Sequence, residues 1–229
     1  MSHLTYREQR EQLVRAAGLL FQAGVMSHSG HGNMSVRLPE PERLLLTARG
    51  HGLIRNLTPE ELTVLTFDGD AVEGEIEPVA REIVAMHACV YRAREDVGAV
   101  IHTHSPRATS FALAHKPLPV AYEAFLRFGV TEDIPVAAWA PRGSPEEVAH
   151  IVAQLQQHPT APAVLLGNHG LLAFARDPLA AAQLIIIMEE AADMLLDAGR
   201  LGGAKPFPAG ALDALERERE HMRRFGSAR

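Results

Sequence analysis

A chain of 229 residues that is 47% hydrophobic and 22% charged is large and apolar enough for a core of its own, which excludes a disordered polymer. A lone cysteine, Cys89, excludes an internal disulfide framework, and a net charge of −6 argues against nucleic-acid or anionic-membrane partners. No apolar run nears the ~18 residues of a membrane helix, and the first residues lack the apolar stretch of a signal peptide, so a cytoplasmic protein is expected.

Residues Tyr6 to Gln22 carry Leu13, Ala16, Ala17, Leu20 and Phe21 at helical spacing, and Gly24 ends that helix. A glycine- and histidine-rich loop, Ser27 to Asn33, comes next. Strands are predicted over Met34–Leu38, Arg43–Thr47 and Leu62–Phe67, with a turn at Asp68-Gly69-Asp70. A helix from Val79 to Arg94 is to bury Ile83, Val84, Tyr91 and either Cys89 or Val90. Gly98 to Thr103 reads as a buried strand. Ser105-Pro106 then supplies an N-cap and first helical residue for a helix to about His115. Prolines 117, 119 and 135 mark irregular chain around a short helix near Glu123 to Phe128. Ser144-Pro145 opens a helix through Gln157, Ala163 to Leu166 is a strand, and Asp177-Pro178 opens the longest helix, which Gly199 ends. A charged helix over Ala209 to Arg224 closes the chain. With short connections and no repeat, the expectation is one α/β domain over residues 1–229.

Twelve histidines are the compositional outlier. In Val100-Ile101-His102-Thr103-His104-Ser105-Pro106 two of them stand two apart on a strand, which puts their rings on one face. On a helix they would point ~200° apart. Asn168-His169-Gly170 follows another apolar strand in the same way and offers a third imidazole. Three neutral imidazoles leave open positions on a metal ion, as catalytic rather than structural sites do. The glutamate of a cupin-type site and the Asp-His of a metallo-lactamase-type site are both missing after the pair. Glu82 is the first choice of acidic partner, as metal ligand or acid/base, although a helix-start glutamate beside Arg81 also suits the helix dipole. Glu75 and Glu77 are weaker choices, and His87 reads as an inward helix residue in preference to a group behind the site. Two loops, Ser29-Gly30-His31-Gly32-Asn33-Met34-Ser35 and Thr47-Ala48-Arg49-Gly50-His51-Gly52, offer backbone N–H groups to an anion. Arg49 and Arg81 add guanidinium forks suited to a carboxylate or phosphate, so a small anionic substrate is expected.

These pieces, in this order, resemble the class II aldolase and adducin-head superfamily, whose relatives include L-fuculose-phosphate aldolase and L-ribulose-phosphate 4-epimerase. The resemblance runs from about Tyr6 to Gly199. It rests on Gly32-Asn33-Met34-Ser35-Val36-Arg37, Leu46-Thr47 with Gly50, Glu82 with His87 and Tyr91, the His102–His104 segment, Asn168-His169-Gly170-Leu171, and Glu189 to Ala192. It implies a three-layer α/β/α fold around a mainly antiparallel sheet. It further implies one divalent ion per chain (zinc, or manganese, iron or cobalt) on His102, His104 and His169, with Glu82 as acid/base, in a homotetramer whose sites lie at subunit interfaces.

The chain departs from the sugar-phosphate members. The places of their small phosphate-binding hydroxyl residues carry Ala48-Arg49 and Ala80-Arg81, Glu82 stands five rather than four residues before His87, and no tyrosine follows Tyr122. The remaining pattern resembles the decarboxylase branch acting on hydroxylated aromatic or pyridine dicarboxylates. It implies loss of CO₂ through a metal-stabilised enolate, with Arg49 or Arg81 holding a carboxylate and Glu82, His31, His51 or Tyr122 giving the proton. Gly32, Asn33, Thr47 and Gly50 complete the expected substrate site. Two alternatives stay open: a class II aldolase cleaving a sugar phosphate or related hydroxy-ketone, and a non-catalytic adducin-like binding module. An epimerase is disfavoured by the missing late tyrosine.

Overall fold

The computed structural model describes residues 5–48, 53–215 and 217. Its core is an eight-stranded sheet in the order β4-β3-β2-β1-β5-β8-β7-β6. The strands are β1 Gly32–Arg37, β2 Arg43–Thr47, β3 Leu62–Thr66, β4 Ala71–Glu73, β5 Ala99–Thr103, β6 Val136–Ala137, β7 Ala163–Leu166 and β8 Gly170–Ala175. All neighbouring pairs are antiparallel except β6 with β7. The helices are α1 Arg7–Gln22, α2 Pro78–Ala93, α3 Pro106–Leu113, α4 Glu123–Arg127, α5 Pro145–Gln157 and α6 Pro178–Arg200.

Side-chain alternation sorts the core into two halves, one on each face of the sheet. Leu45, Ile101, Leu165, Leu171 and Ala173 join the half that contains α1 and α6 residues such as Leu13 and Ile185. Their strand neighbours Leu44, Leu46, Val100, Val164, Leu172 and Phe174 join the half built on α2 and α5. Every central strand thus buries both faces, which makes the architecture three-layered, as expected. It also explains why β8 gives no strand signal in the sequence. Gly-Leu-Leu-Ala-Phe-Ala has no polar face, so period-two alternation is erased.

Two expectations shift at helix ends. Ser105 sits at the N-cap of α3 but its side chain makes no cap bond; its Oγ lies 2.8 Å from Thr103 Oγ1. The cap comes from α6, where the Glu189 carboxylate accepts the backbone N–H groups of Arg107 and Ala108 at 2.7 and 2.8 Å. The helix expected over Ala209–Arg224 is helical at 211–215, and most of the rest lies outside the described residues. Among the described residues no helix is long and apolar enough to cross a membrane.

Candidate metal centre and pocket

β5 delivers the first two histidines. Alternation puts His102 on the α2 face with Val100, opposite Ile101. His104 stands just past the strand end, where α3 begins. The register pairs His102 with Asn33 of β1 on one side and Leu172 of β8 on the other. His169 comes from the turn joining β7 to β8. There Asn168 takes φ 56°, a left-handed conformation that asparagine tolerates, and its Oδ1 lies 2.6 Å from His115 Nε2.

Gly170 permits the close approach. A Cβ at that position would lie 2.5 Å from Thr103 O, 3.0 Å from His104 Cδ2 and 3.1 Å from His102 Cε1. Without one, the three ring centroids stand 4.6, 4.9 and 5.1 Å apart. One ring nitrogen from each histidine falls within 4.8 Å of the others.

The electrostatics favour neutral rings. Burial, and then His169 and His104, hold His102 well below the ordinary imidazole range. Burial, followed by His104 and Arg142, pushes His169 down to about 4. Burial also lowers His104, with His31 and Arg142 adding to it. His102 Nδ1–H donates to Leu171 O at 3.1 Å, which leaves the lone pair on Nε2. Three clustered, neutral nitrogen donors, one of them already oriented by the backbone, form a donor set that fits a divalent cation.

The histidines open into a pocket of about 600 Å³ including its mouth. His31, Gly32, Asn33 and Thr47 are among its lining residues. Thr47 is buried, and its Oγ1 accepts Met34 N–H at 2.9 Å. Arg49, Gly50 and His51 lie outside the described residues.

Glu82, Arg81 and Tyr122 are not among the residues that line this pocket. Residues 80, 83 and 86 are the α2 positions that line it, as helical spacing requires, and they are Ala80, Ile83 and Met86. Glu82 is not itself among the lining residues, although it stands one helical turn before Met86 and binds Arg142, both of which are. Its carboxylate is half-exposed and held by Arg142 Nε and Nη2 at 2.8 and 2.7 Å. Arg81 is exposed and also outside the lining. Tyr122 is the N-cap of α4 and packs against the α1–α6 half of the core.

Two charged residues do line the pocket. Glu77, the N-cap residue of α2, is the acidic group in the lining. Arg142 was not singled out in the sequence. It comes from the loop before α5 and reaches the lining while bound to Glu82. Gly143 beside it has φ 77°, and a Cβ there would lie 2.9 Å from Glu82 O, so this loop rests directly on the first turns of α2. The signal in the sequence was an arginine–glycine pair just before a Ser-Pro helix start. His87 is fully buried behind the pocket, and both its ring nitrogens are hydrogen-bonded.

Known proteins give the same picture. The chain is 28% identical over 214 residues to the 5-deoxy-D-ribulose 1-phosphate aldolase of Bacillus thuringiensis serovar kurstaki, covering 93% of this chain and 96% of the relative. It is 32% identical over 198 residues to the 3-oxo-tetronate 4-phosphate decarboxylase of Haemophilus influenzae, covering 83% and 88%. The fold superposes on a solved L-fuculose 1-phosphate aldolase with a TM-score of 0.81 at 25% identity, covering 96% of this chain and all of that one. Residues 11–196 match the Class II Aldolase and Adducin N-terminal domain. The chain therefore belongs to the class II aldolase and adducin family, within the part of it whose members are lyases.

Proposed function

We propose that this protein is a divalent-metal-dependent carbon–carbon lyase, and that its reaction is decarboxylation of a small hydroxylated or oxo acid. The carrying observation is the His102–His104–His169 cluster facing a pocket whose mouth bears Arg142. His102, His104 and His169 would hold the ion, which would supply Lewis acidity to a substrate oxygen. Open positions beside three imidazoles suit zinc, and equally manganese, iron or cobalt.

The chain's own groups do the rest. Among the described lining residues Arg142 is the one arginine, and the part of its fork not held by Glu82 suits a substrate carboxylate or phosphate. Asn33 and the backbone at Gly32 also line the pocket and orient the substrate. Cleavage of a hydroxy-ketone needs a base for the hydroxyl proton before the bond breaks. Loss of CO₂ needs no such step, only a proton delivered to carbon afterwards. The α2 helical positions that line the pocket carry Ala80, Ile83 and Met86 and no acid, which favours the second chemistry. Glu77 or His31, both in the lining, gives that proton.

A second reading is aldol cleavage of a sugar phosphate. It is favoured by the match to a 5-deoxyribulose 1-phosphate aldolase along nearly the whole chain, and Glu77 then serves as base. The proposal extends to a single cytoplasmic domain assembled as a homo-oligomer with sites at subunit contacts. There Tyr122, outside its own chain's pocket, would serve a neighbouring one. The test is a panel assayed with zinc- or manganese-loaded protein. It pairs CO₂ release from 3-oxo-tetronate 4-phosphate and hydroxylated dicarboxylates with aldehyde release from 5-deoxyribulose 1-phosphate and fuculose 1-phosphate. Efficient aldehyde release with no CO₂ from any acid overturns the decarboxylase reading; neither product from any compound overturns both.

A further inference from the structure

Behind the pocket wall runs a buried hydrogen-bonded chain that the chemistry above does not use. Tyr91 Oη lies 2.7 Å from Ser35 Oγ. Ser35 Oγ lies 2.7 Å from His87 Nδ1. His87 Nε2 lies 2.6 Å from Asn33 Oδ1. Ser35 and His87 are completely enclosed, and Tyr91 almost so. Asn33 is the one member that reaches the pocket.

The direction of this chain follows from counting protons. Among the described residues the Tyr91 hydroxyl has no acceptor other than Ser35 Oγ. A buried phenol that fails to donate is costly, so Tyr91 donates to Ser35. The single Ser35 proton must then go to His87 Nδ1. His87, with Nδ1 accepting, carries its proton on Nε2 and donates it to the Asn33 carbonyl oxygen. Burial pushes the His87 pKa down to about 3, so the ring is neutral and has one proton to place. The reverse direction strands the tyrosine proton and is the poorer arrangement.

We infer that Tyr91, Ser35 and His87 form a polarity relay that locks the Asn33 carboxamide with its oxygen inward and its NH₂ toward the pocket, making Asn33 a committed donor to an anionic oxygen of the substrate. His87 is on this account a positioning residue. The role assigned to the Asn33 NH₂ rests on the proposed lyase reading; the orientation itself does not.

The experiment is long-range proton–nitrogen NMR on zinc-loaded protein labelled at histidine nitrogen, with inorganic phosphate titrated as the anion probe. The expected wild-type signature for His87 is the Nε2–H tautomer. Asn33→Asp keeps an acceptor toward His87, so the tautomer stays, while phosphate affinity drops at least ~10-fold because a carboxylate oxygen replaces the NH₂. Tyr91→Phe removes the source of polarity and is expected to give mixed His87 tautomers and a weaker, ~3-fold loss of phosphate affinity. An Nδ1–H tautomer in the wild type, or a switch to Nε2–H only in Asn33→Asp, overturns the inference. So does a pure Nε2–H signature in Tyr91→Phe. An Nε2–H relay in a protein that neither binds phosphate nor cleaves any acid or sugar phosphate sinks the lyase reading and leaves the relay standing.

Discussion

Replacing Gly170 with alanine tests whether the histidine cluster depends on the close approach of β8 to the end of β5. The new Cβ would start 2.5 Å from Thr103 O. An ordinary carbon–oxygen contact is roughly 3.3–3.6 Å, so the two strands must part by about 0.8–1.1 Å. Thr103 lies between two of the histidines and residue 170 directly follows the third. The displacement therefore passes straight into the ring separations. Metal–ligand distances tolerate only about ±0.2 Å, so a shift several times larger costs affinity on the order of 10–100-fold. Overpacking at one site costs roughly 1–3 kcal/mol, which the large core absorbs without unfolding. Zinc affinity by chelator competition, with thermal unfolding of the metal-free proteins alongside, separates the two effects. Wild-type zinc affinity in a folded Gly170→Ala protein would refute the reasoning, because the rings would then meet by some other route.

Arg142→Ala is expected to raise KM for an anionic substrate about 10–100-fold with a smaller change in kcat, read by steady-state kinetics, because it removes the one arginine of the described lining and leaves the histidines in place. Glu189→Ala leaves two backbone N–H groups at the start of α3 without their partner and is expected to destabilise the fold by about 1–3 kcal/mol in urea unfolding, with Glu189→Gln recovering part of that. Acid should weaken the fold through His87. Its folded pKa of about 3 lies below the ordinary value near 6.5, so the unfolded chain binds the extra proton. The stability contributed by His87 is then complete above pH ~6.5 and is lost progressively as pH falls toward ~3, by a few kcal/mol in all. Urea unfolding across that range should show a shallower slope in His87→Gln than in wild type; equal slopes would contradict the assignment.

How much of this was legible depended on whether a local pattern carried the geometry. Alternation alone placed His102 and His104 on one face, and the Pro-capped helix starts were read almost to the residue. The third histidine was visible because it repeats the same motif, a polar turn just past an apolar strand. Spacing did not settle Glu82. It stands one helical turn before the lining residue Met86, and only the folded chain shows its carboxylate bound to Arg142. Arg142 itself was hidden, since only the folded chain brings the loop before α5 onto α2. β8 was hidden for a different reason, because burial on both faces removes alternation. The cap of α3 was unreadable locally, since its carboxylate comes from a residue 81 positions away. The relay behind Asn33 likewise joins β1 to α2 across 54 residues, a distance no local pattern spans.

The central claim is that three imidazoles grip one divalent ion. X-ray absorption on zinc-loaded protein, combined with elemental analysis, tests it most directly. The expected result is one zinc per chain with three imidazole nitrogens at about 2.0–2.1 Å, and loss of both the ion and turnover in His169→Ala. Substoichiometric zinc, or a bound ion with fewer than two imidazoles around it, would contradict the account.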